Sequence, residues 1–428
     1  MLTSLYTAVS GMDASSTDLS VISDNIANEN TVGFKSSSVA FGDVLSETLN
    51  TSSGTSQVGR GVEVSSVAPV FTQGSFETTT NPLDLAINGN GFFIVNQDGS
   101  NCYTRAGQFS LDKNGNIVDP NGDILQGYLA DASGNITGTT GNLTIPTSQS
   151  TANATTTAAV SVNLDATATP PANPFTLGTP PTTPANYNYS NTISVYDSQG
   201  GEHAVTQYFV NTGPNAWTVE YVTPDPANPG QLLVQGTQDL TFGNNGSLTN
   251  DNSTTPINFN FGGNVTNPQP ITFTYGNGTG ETPAGNGLDG TTQFASAFSV
   301  TSVNQDGYAS GSLSSVAVGT DGTITGTYTN GQTETIGQIA LANFAAPTAL
   351  TKLGNNLFGV TSGSGQPLVS APSTSGLGTV LSDTLELSNV DLASEFTSMI
   401  IAQRSFEANS KVITTTDELL QALVSLIT

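Results

Sequence analysis

The sequence predicts a mainly β fold with α-helical termini: the end helices pair as a coiled-coil-like inner domain, and two nested antiparallel β domains lie between them. Three observations carry this. Apolar residues at helical spacing are confined to the two ends. The middle alternates apolar and polar with period two and is punctuated by Asp-Gly and Asn-Gly pairs. A Pro/Thr/Ala/Asn-rich stretch breaks that β pattern, which later resumes.

At the C-terminal end, Leu392, Phe396, Met399, Phe406, Ile413, Leu420, Leu423 and Ile427 step by three, four or seven, the seam spacing of a coiled coil. The helix is expected from Ser388 to Ile427, with Ser388 and Asp391 spaced like a capping box and Glu407 and Lys411 as an i,i+4 ion pair. At about 1.5 Å per residue it would run roughly 60 Å. Its partner is expected from Leu2 to Ala27, where Leu2, Leu5, Val9, Met12, Leu19, Ile22 and Ile26 repeat the spacing. Gly11 is the weak point, costing about 1 kcal/mol against Ala. Two amphipathic helices lying on a globular core would show much the same pattern. The seam reading is preferred because the region between offers no helical pattern for them to pack on.

Composition excludes several classes of function. The chain has 428 residues, of which 9% are charged, against about 25% in an ordinary soluble protein. It carries 7 basic and 33 acidic residues, a net charge of −26. Nucleic acid and anionic membrane both require a basic face, so neither is expected as a partner. Cys102 is the single cysteine, which rules out an internal disulfide framework. The N-terminus lacks a basic segment, a continuous apolar run and a cleavage site, so a Sec-type leader is not expected. No run of about 18 apolar residues is present to span a bilayer.

After the first helix, Ala27 to Lys35 reads as a helix exit: Asn28 and Asn30 tolerate left-handed backbone, Gly33 permits a sharp turn, and Phe34 needs burial. Residues 36–70 are Ser/Thr/Gly-rich and are expected as an extended linker. Residues 71–145 read as strands joined by hairpin turns at Asp98-Gly99, Asn114-Gly115 and Asn121-Gly122, with core candidates Leu85, Ile87, Phe92, Ile94, Phe109, Ile117 and Leu125. The composition shift at 146–190 opens an inserted outer β domain, expected over 146–295, with strands at Thr192–Tyr196, Ala204–Val210 and around Trp217. Residues 296–365 return to the first β domain, 366–385 form a second linker, and 386–428 rejoin 1–35 as the inner domain.

Chemistry is sparse. His203 stands alone, with no nucleophile elbow, and one His with one Cys does not make a zinc site. Asp112-x-Asn114-x-Asn116 opens like a calcium loop but has Ile117 where Gly is needed and Asp123 in place of Glu. The Gly276, Gly278, Gly280 strip has no following helix to cradle a phosphate. No catalytic, cofactor-binding or metal-binding residue is expected, and the chain is read as not an enzyme.

Two long motifs at the ends point to a family. Asn25-Ile26-Ala27-Asn28 followed by Asn30-Thr31-x-Gly33-Phe34-Lys35 resembles the N-terminal signature of the bacterial flagellar rod and hook proteins. Ser388-Asn389-Val390-Asp391-Leu392, Met399-Ile400-x-Ala402-Gln403-Arg404-x-Phe406 and Asn409-Ser410-Lys411 resemble the C-terminal one. Asp84-Leu85-Ala86-Ile87-x-Gly89-x-Gly91-Phe92-Phe93 and Tyr103-Thr104-Arg105-Ala106-Gly107-x-Phe109 are similar to the shared β region. Length, the insert, and segments such as Thr192 to Gly200 and Ile336 to Phe344 select the hook branch.

That resemblance implies a structural subunit of the flagellar hook, a curved tubular homopolymer that couples the basal-body rod flexibly to the filament. The implied partners are further copies of the chain in a helical tube, the distal rod and hook–filament junction proteins, the hook cap, and the flagellar type III export apparatus. The implied location is the hook and basal body, outside the cell, reached without a cleaved signal peptide; no cofactor is implied. The subunit interface is then expected on Leu5, Val9, Met12, Leu19, Ile22, Ile26, Leu392, Phe396, Met399, Phe406, Ile413, Leu420 and Leu423. The alternatives are a distal rod protein, which the inserted domain argues against, and a secreted β-rich adhesin, which should lack heptad termini.

Overall fold

The computed structural model describes residues 2–44, 47–51, 54–131, 133–177, 185–281 and 283–427. The side chains of Leu2, Leu423 and Ile427 lie outside the described residues, although their backbones belong to the terminal helices. The chain divides into two compact units: 1–147 with 314–327 and 333–428, and 148–313 with 328–332.

In the first unit, helix α1 spans Leu2–Ala27 and helix α2 spans Leu392–Ile427. The two are antiparallel: Asn25 meets Glu395, and Gly11 lies against Asn409. The capping box is not formed. Asp391 caps α2 alone, its Oδ1 accepting the Ser394 amide at 2.8 Å, and Ser388 Oγ accepts instead from the Val390 amide. Glu407 pairs with Arg404 at 2.9 Å on the exposed surface in place of the expected Lys411 partner.

The β part of this unit draws on both sides of the insertion. Strand Ile124–Ala130 pairs with Thr333–Ile339, and Phe92–Gln97 pairs with Leu341–Asn343. All seven core candidates are buried. Around Phe92, the rings of Phe71, Phe344 and Phe358 stand edge-on with centroids 5.1, 5.8 and 6.0 Å away.

The two expected linkers are folded. Ser37–Asp43 pairs with Val62–Pro69, and Glu47–Thr51 with Gly54–Val58. The first of these hairpins packs on α1, where the Val62 amide donates to Ser10 Oγ. In the second strip, Leu368–Ser370, Thr379–Leu381 and Thr384–Glu386 pair with Leu341–Asn343, Ala86–Asn88 and Phe76–Thr78. Short alternating runs such as Thr-Val-Leu and Thr-Leu-Glu suffice for a strand when a sheet edge is waiting for them, which composition does not reveal.

Turn chemistry differs in detail from expectation. Asp98 and Gly99 both take positive φ, 50° and 89°, giving the two-residue hairpin. At Asp112–Asn116 and Asp119–Asp123 only the Gly is left-handed, and the leading Asp side chain accepts two backbone amides within its own loop. This also explains the calcium-like spacing of Asp112, Asn114 and Asn116: the carboxylate is occupied by its own turn.

The second unit is a sandwich of a five-stranded meander, Tyr189–Tyr196 to Leu248–Asn250, and a four-stranded sheet. The four-stranded sheet departs from a purely antiparallel arrangement, since Thr157–Asn163 runs parallel to Gln269–Thr274. Its other neighbour is Ser299–Gln305, so residues 296–313 belong to this unit and not to the first β domain. Val160, Val195, Phe209, Trp217, Tyr221, Phe259 and Phe273 fill the core between the sheets. Inside it, Tyr221 Oη donates to Gln238 Oε1 at 2.7 Å and shares a hydrogen bond with Tyr275 Oη at 2.9 Å.

Candidate assembly surface

Helical spacing on α1 places Ala8, Gly11, Ser15, Asp18, Ile22 and Asn25 on one stripe, all buried or half-buried. The facing stripe on α2 is Glu395, Met399, Ala402, Asn409, Ile413, Thr416 and Leu420. Ala402 and Thr416 are 4% and 6% exposed. The contact between the helices is therefore made largely by small and polar residues. A Cβ on Gly11 would stand 2.6 Å from Asn409 Nδ2, so that Gly is what lets the backbones close in. The expected weak point is a packing requirement.

Ile22, Met399, Ile413 and Leu420 lie on the contact stripes as expected, while five other residues expected at the seam lie one step further round. Val9, Met12, Leu19 and Ile26 each follow a position on the α1 stripe, and Phe396 follows Glu395. Ile22 is buried; Leu5, Met12, Leu19, Ile26, Met399, Ile413 and Leu420 are half-buried; Val9, Leu392, Phe396 and Phe406 are exposed. With Ala402 facing α1 and about 100° per residue, the exposed apolar residues of α2 fall on two flanks. Leu392, Phe396 and Ile400 lie on one side, and Ile401, Val412 and Leu419 on the other. Ile400, Ile401 and Leu419 are 58%, 62% and 60% exposed. Exposed apolar stripes of this kind make α2 the candidate interaction surface.

The seam also holds acids. Burial pushes the Asp18 carboxyl up. It does the same to Glu395, opposed by the hydrogen bond from Asn25 and reinforced by Asp18 and Asp391.

The signature residues gather where the helices leave the β region. Asn25, 2% exposed, donates to Ser37 O at 2.9 Å and Glu395 Oε1 at 3.1 Å while accepting from the Ser37 amide. Asn28 holds the α1 exit by donating to Asp24 O and accepting from Thr31. Gly33 has φ 70°, and a Cβ there would meet the Ala106 amide at 2.4 Å. Phe34 is buried with the Lys352 ammonium 5.1 Å above its ring. Lys35 reaches Glu386 Oε1 at 2.6 Å and Thr72 O at 2.8 Å; burial pulls its ammonium pKa down, and Glu386 holds it up. Asn389 accepts from the Ser36 amide and donates to Val70 O. Asn30, Gln403 and Arg404 are exposed and take no part in this junction, whereas Asn409 sits in the seam.

Sequence reasoning missed Glu386. Its signal was present: a carboxylate between Leu385 and Leu387 in a strand, in a chain with few cations to pair it.

Elsewhere the chemistry is structural. His203 Nε2 lies 2.7 Å from Asp197 Oδ2 and its ring stacks on Phe261 at 4.2 Å. Cys102 is buried, which pushes its thiol up. Among the described residues there is no cluster of three or more His, Cys, Asp or Glu able to hold a metal, and no helix long and apolar enough to cross a membrane.

Comparison with known proteins covers the whole chain. Residues 5–35 match the family described as flagella basal body rod protein, and 381–426 the flagellar basal body rod FlgEFG protein C-terminal. Residues 86–167 match the flagellar hook protein FlgE/F/G D1 domain, and 163–308 the flagellar basal body protein FlaE D2 domain. The chain is 37% identical to the flagellar hook protein FlgE of Escherichia coli (strain K12), over 98% of both chains. It is 36% identical to that of Borreliella burgdorferi over the full length of both. The crystal structure of Helicobacter pylori flagellar hook protein FlgE2 shares the fold, with a TM-score of 0.51 at 15% identity over 71% of this chain and 98% of that one.

Proposed function

Because the chain belongs to the flagellar hook protein family and is a structural subunit of the hook, we propose that its copies polymerise along the two apolar flanks of α2. The observation that carries this reading is the orientation of the terminal helices. They turn small and polar residues toward each other and leave Leu392, Phe396, Ile400, Ile401, Val412 and Leu419 without cover. Flanks on opposite sides of one helix suit a heterologous contact, in which one flank meets the other flank of the next copy and the series winds into a tube. Leu5, Val9, Met12, Leu19 and Phe406, beside the seam, would extend the same interface.

The β regions would contact their neighbours through Thr, Ser, Asn and Gly. Hydrogen bonds of that kind contribute about 1 kcal/mol net each and exchange for one another at small cost, which suits a coupling that bends at every turn. Beyond further copies of itself, the chain would meet rod and junction proteins at the two ends of the tube, the cap during growth, and the export apparatus before it.

The test is the doubly substituted chain Ile401→Asp, Leu419→Asp. Both side chains are exposed, so the thermal unfolding of the soluble chain should match the parent to within about 0.5 kcal/mol, while tubes that sediment from the parent should be absent. Tubes formed at the parental yield would sink the reading.

A further inference from the structure

We propose that Glu386 is a positioning residue, a buried pin that fixes the angle at which the terminal helices leave the β region, so that torque enters the β region through it. The proposal rests on the hook-subunit reading above.

Three separate segments converge on this one residue. Its Oε1 accepts Lys35 Nζ at 2.6 Å and the Gly74 amide at 3.0 Å. Its Oε2 lies 3.3 Å from Arg105 Nη1, and its backbone carbonyl accepts the Gly33 amide at 2.8 Å. The side chains of Lys35 and Glu386 are fully buried, and that of Arg105 is 5% exposed. Two of only 7 basic residues in the chain are therefore withdrawn from solvent around one carboxylate. Burial lowers the pKa of both cations, and Glu386 opposes that in each case.

Each of the two cations is anchored a second time to β-region backbone. Lys35 also donates to Thr72 O. Arg105 donates to Ile87 O at 3.3 Å and Gly89 O at 2.7 Å, and Gln73 bridges the same two residues by donating to Ile87 O and accepting the Gly89 amide. The carboxylate cannot swing without breaking contacts in several directions. The backbones leave no slack either, since a Cβ on Gly74 would stand 2.1 Å from Leu387 O.

Both helices depart from this point. Lys35 closes the turn that follows α1, and Asp391, which caps α2, comes five residues after Glu386. Filling the space would not need charge. Well-packed apolar residues of similar volume often serve stability as well as a buried ion cluster, and what the cluster adds is direction and register. Here the direction is that of the helix pair relative to the sheet.

Two variants of the full-length chain test this. Glu386→Gln keeps the shape, loses the charge and strands two buried cations. It should speed amide exchange at Gly33 and Gly74 by roughly a hundredfold while leaving the amides of Val219 and Phe273 unchanged. The apolar triple variant Lys35→Met, Arg105→Met, Glu386→Leu should regain most of that protection yet form tubes that have lost the parental bending stiffness, read from curvature fluctuations in images. Two results overturn the pin: exchange in Glu386→Gln within about threefold of the parent, or tubes of the triple variant as stiff as the parent's. The exchange measurement needs no polymer, so it judges the pin even if the parent chain fails to form tubes, a failure that would fall on the hook reading alone.

Discussion

The second β unit and the terminal helix pair spend their apolar residues in opposite ways. In the β unit, Trp217, Tyr221, Phe259, Phe273 and Tyr275 point inward and are at most 1% exposed. In α2, Phe396, Ile400, Ile401 and Leu419 point away from α1 and are 49% to 62% exposed. One region completes its own core; the other leaves large apolar side chains exposed, the surface proposed above for assembly. The contrast teaches that secondary structure and burial are separable: α2 is a complete 36-residue helix although many of its large apolar side chains are exposed.

The largest test of that contrast is a pair of truncations. Phe273→Ala should cost about 3–5 kcal/mol, as a buried aromatic does, and lower the melting temperature of the second unit. Phe396→Ala should change the stability of the soluble chain by no more than about 0.5 kcal/mol and weaken tube formation. Equal stability losses would mean that α2 already has its core.

A second test uses acid, since the turn aspartates of the β unit and the acids of the helix seam respond with opposite sign. In the β unit, the Thr167 side chain and amide hold Asp165 low, and Asn228 with the Ala227 amide holds Asp225 low. A carboxylate depressed on folding contributes stability that is present above its unfolded pKa, about 3.9, and is lost as pH falls through the folded value. Asp18 and Glu395 in the helix seam are raised by burial. Their burial is a penalty while they are charged, so lowering the pH through their raised values relieves it until the unfolded values are reached. Amide protection in α1 and α2 should therefore rise as pH falls from neutral toward about 4, and the turns of the β unit should loosen only below that. Parallel loss in both regions would break the comparison.

The smallest expected effect is at the surface. Arg404 and Glu407 are 77% and 64% exposed, so Arg404→Ala should move the melting curve by less than about 0.5 kcal/mol. Set beside Glu386→Gln, it measures how much of an ion pair's consequence comes from burial.

Much of the architecture was legible in the chain. Heptad spacing located both helices, and α1 matches its expected bounds. Alternation identified Leu85 and Ile87 as core, and a continuous apolar run identified Phe92 and Ile94. The linkers were misjudged because Ser/Thr/Gly composition describes a surface and not a partner: Thr379–Leu381 is a strand because Ala86–Asn88 lies beside it. Residues 296–313 were placed with the wrong β region for the same reason, since alternation says that a segment is a strand without saying whose.

By itself the sequence determined which segments are helical, where the strands with clear alternation or hairpin turns lie, and the family its end motifs indicate. These follow from local spacing and turn chemistry, which need no distant contact. Only the tertiary structure decided which stripe of each helix faces the other. Gly11 and Asn409 fit together at close range, and that fit rotates the larger apolar residues outward. It also decided that Lys35, Arg105 and Glu386, far apart in the chain, share one buried site, because a carboxylate is claimed by whichever cations the fold brings to it.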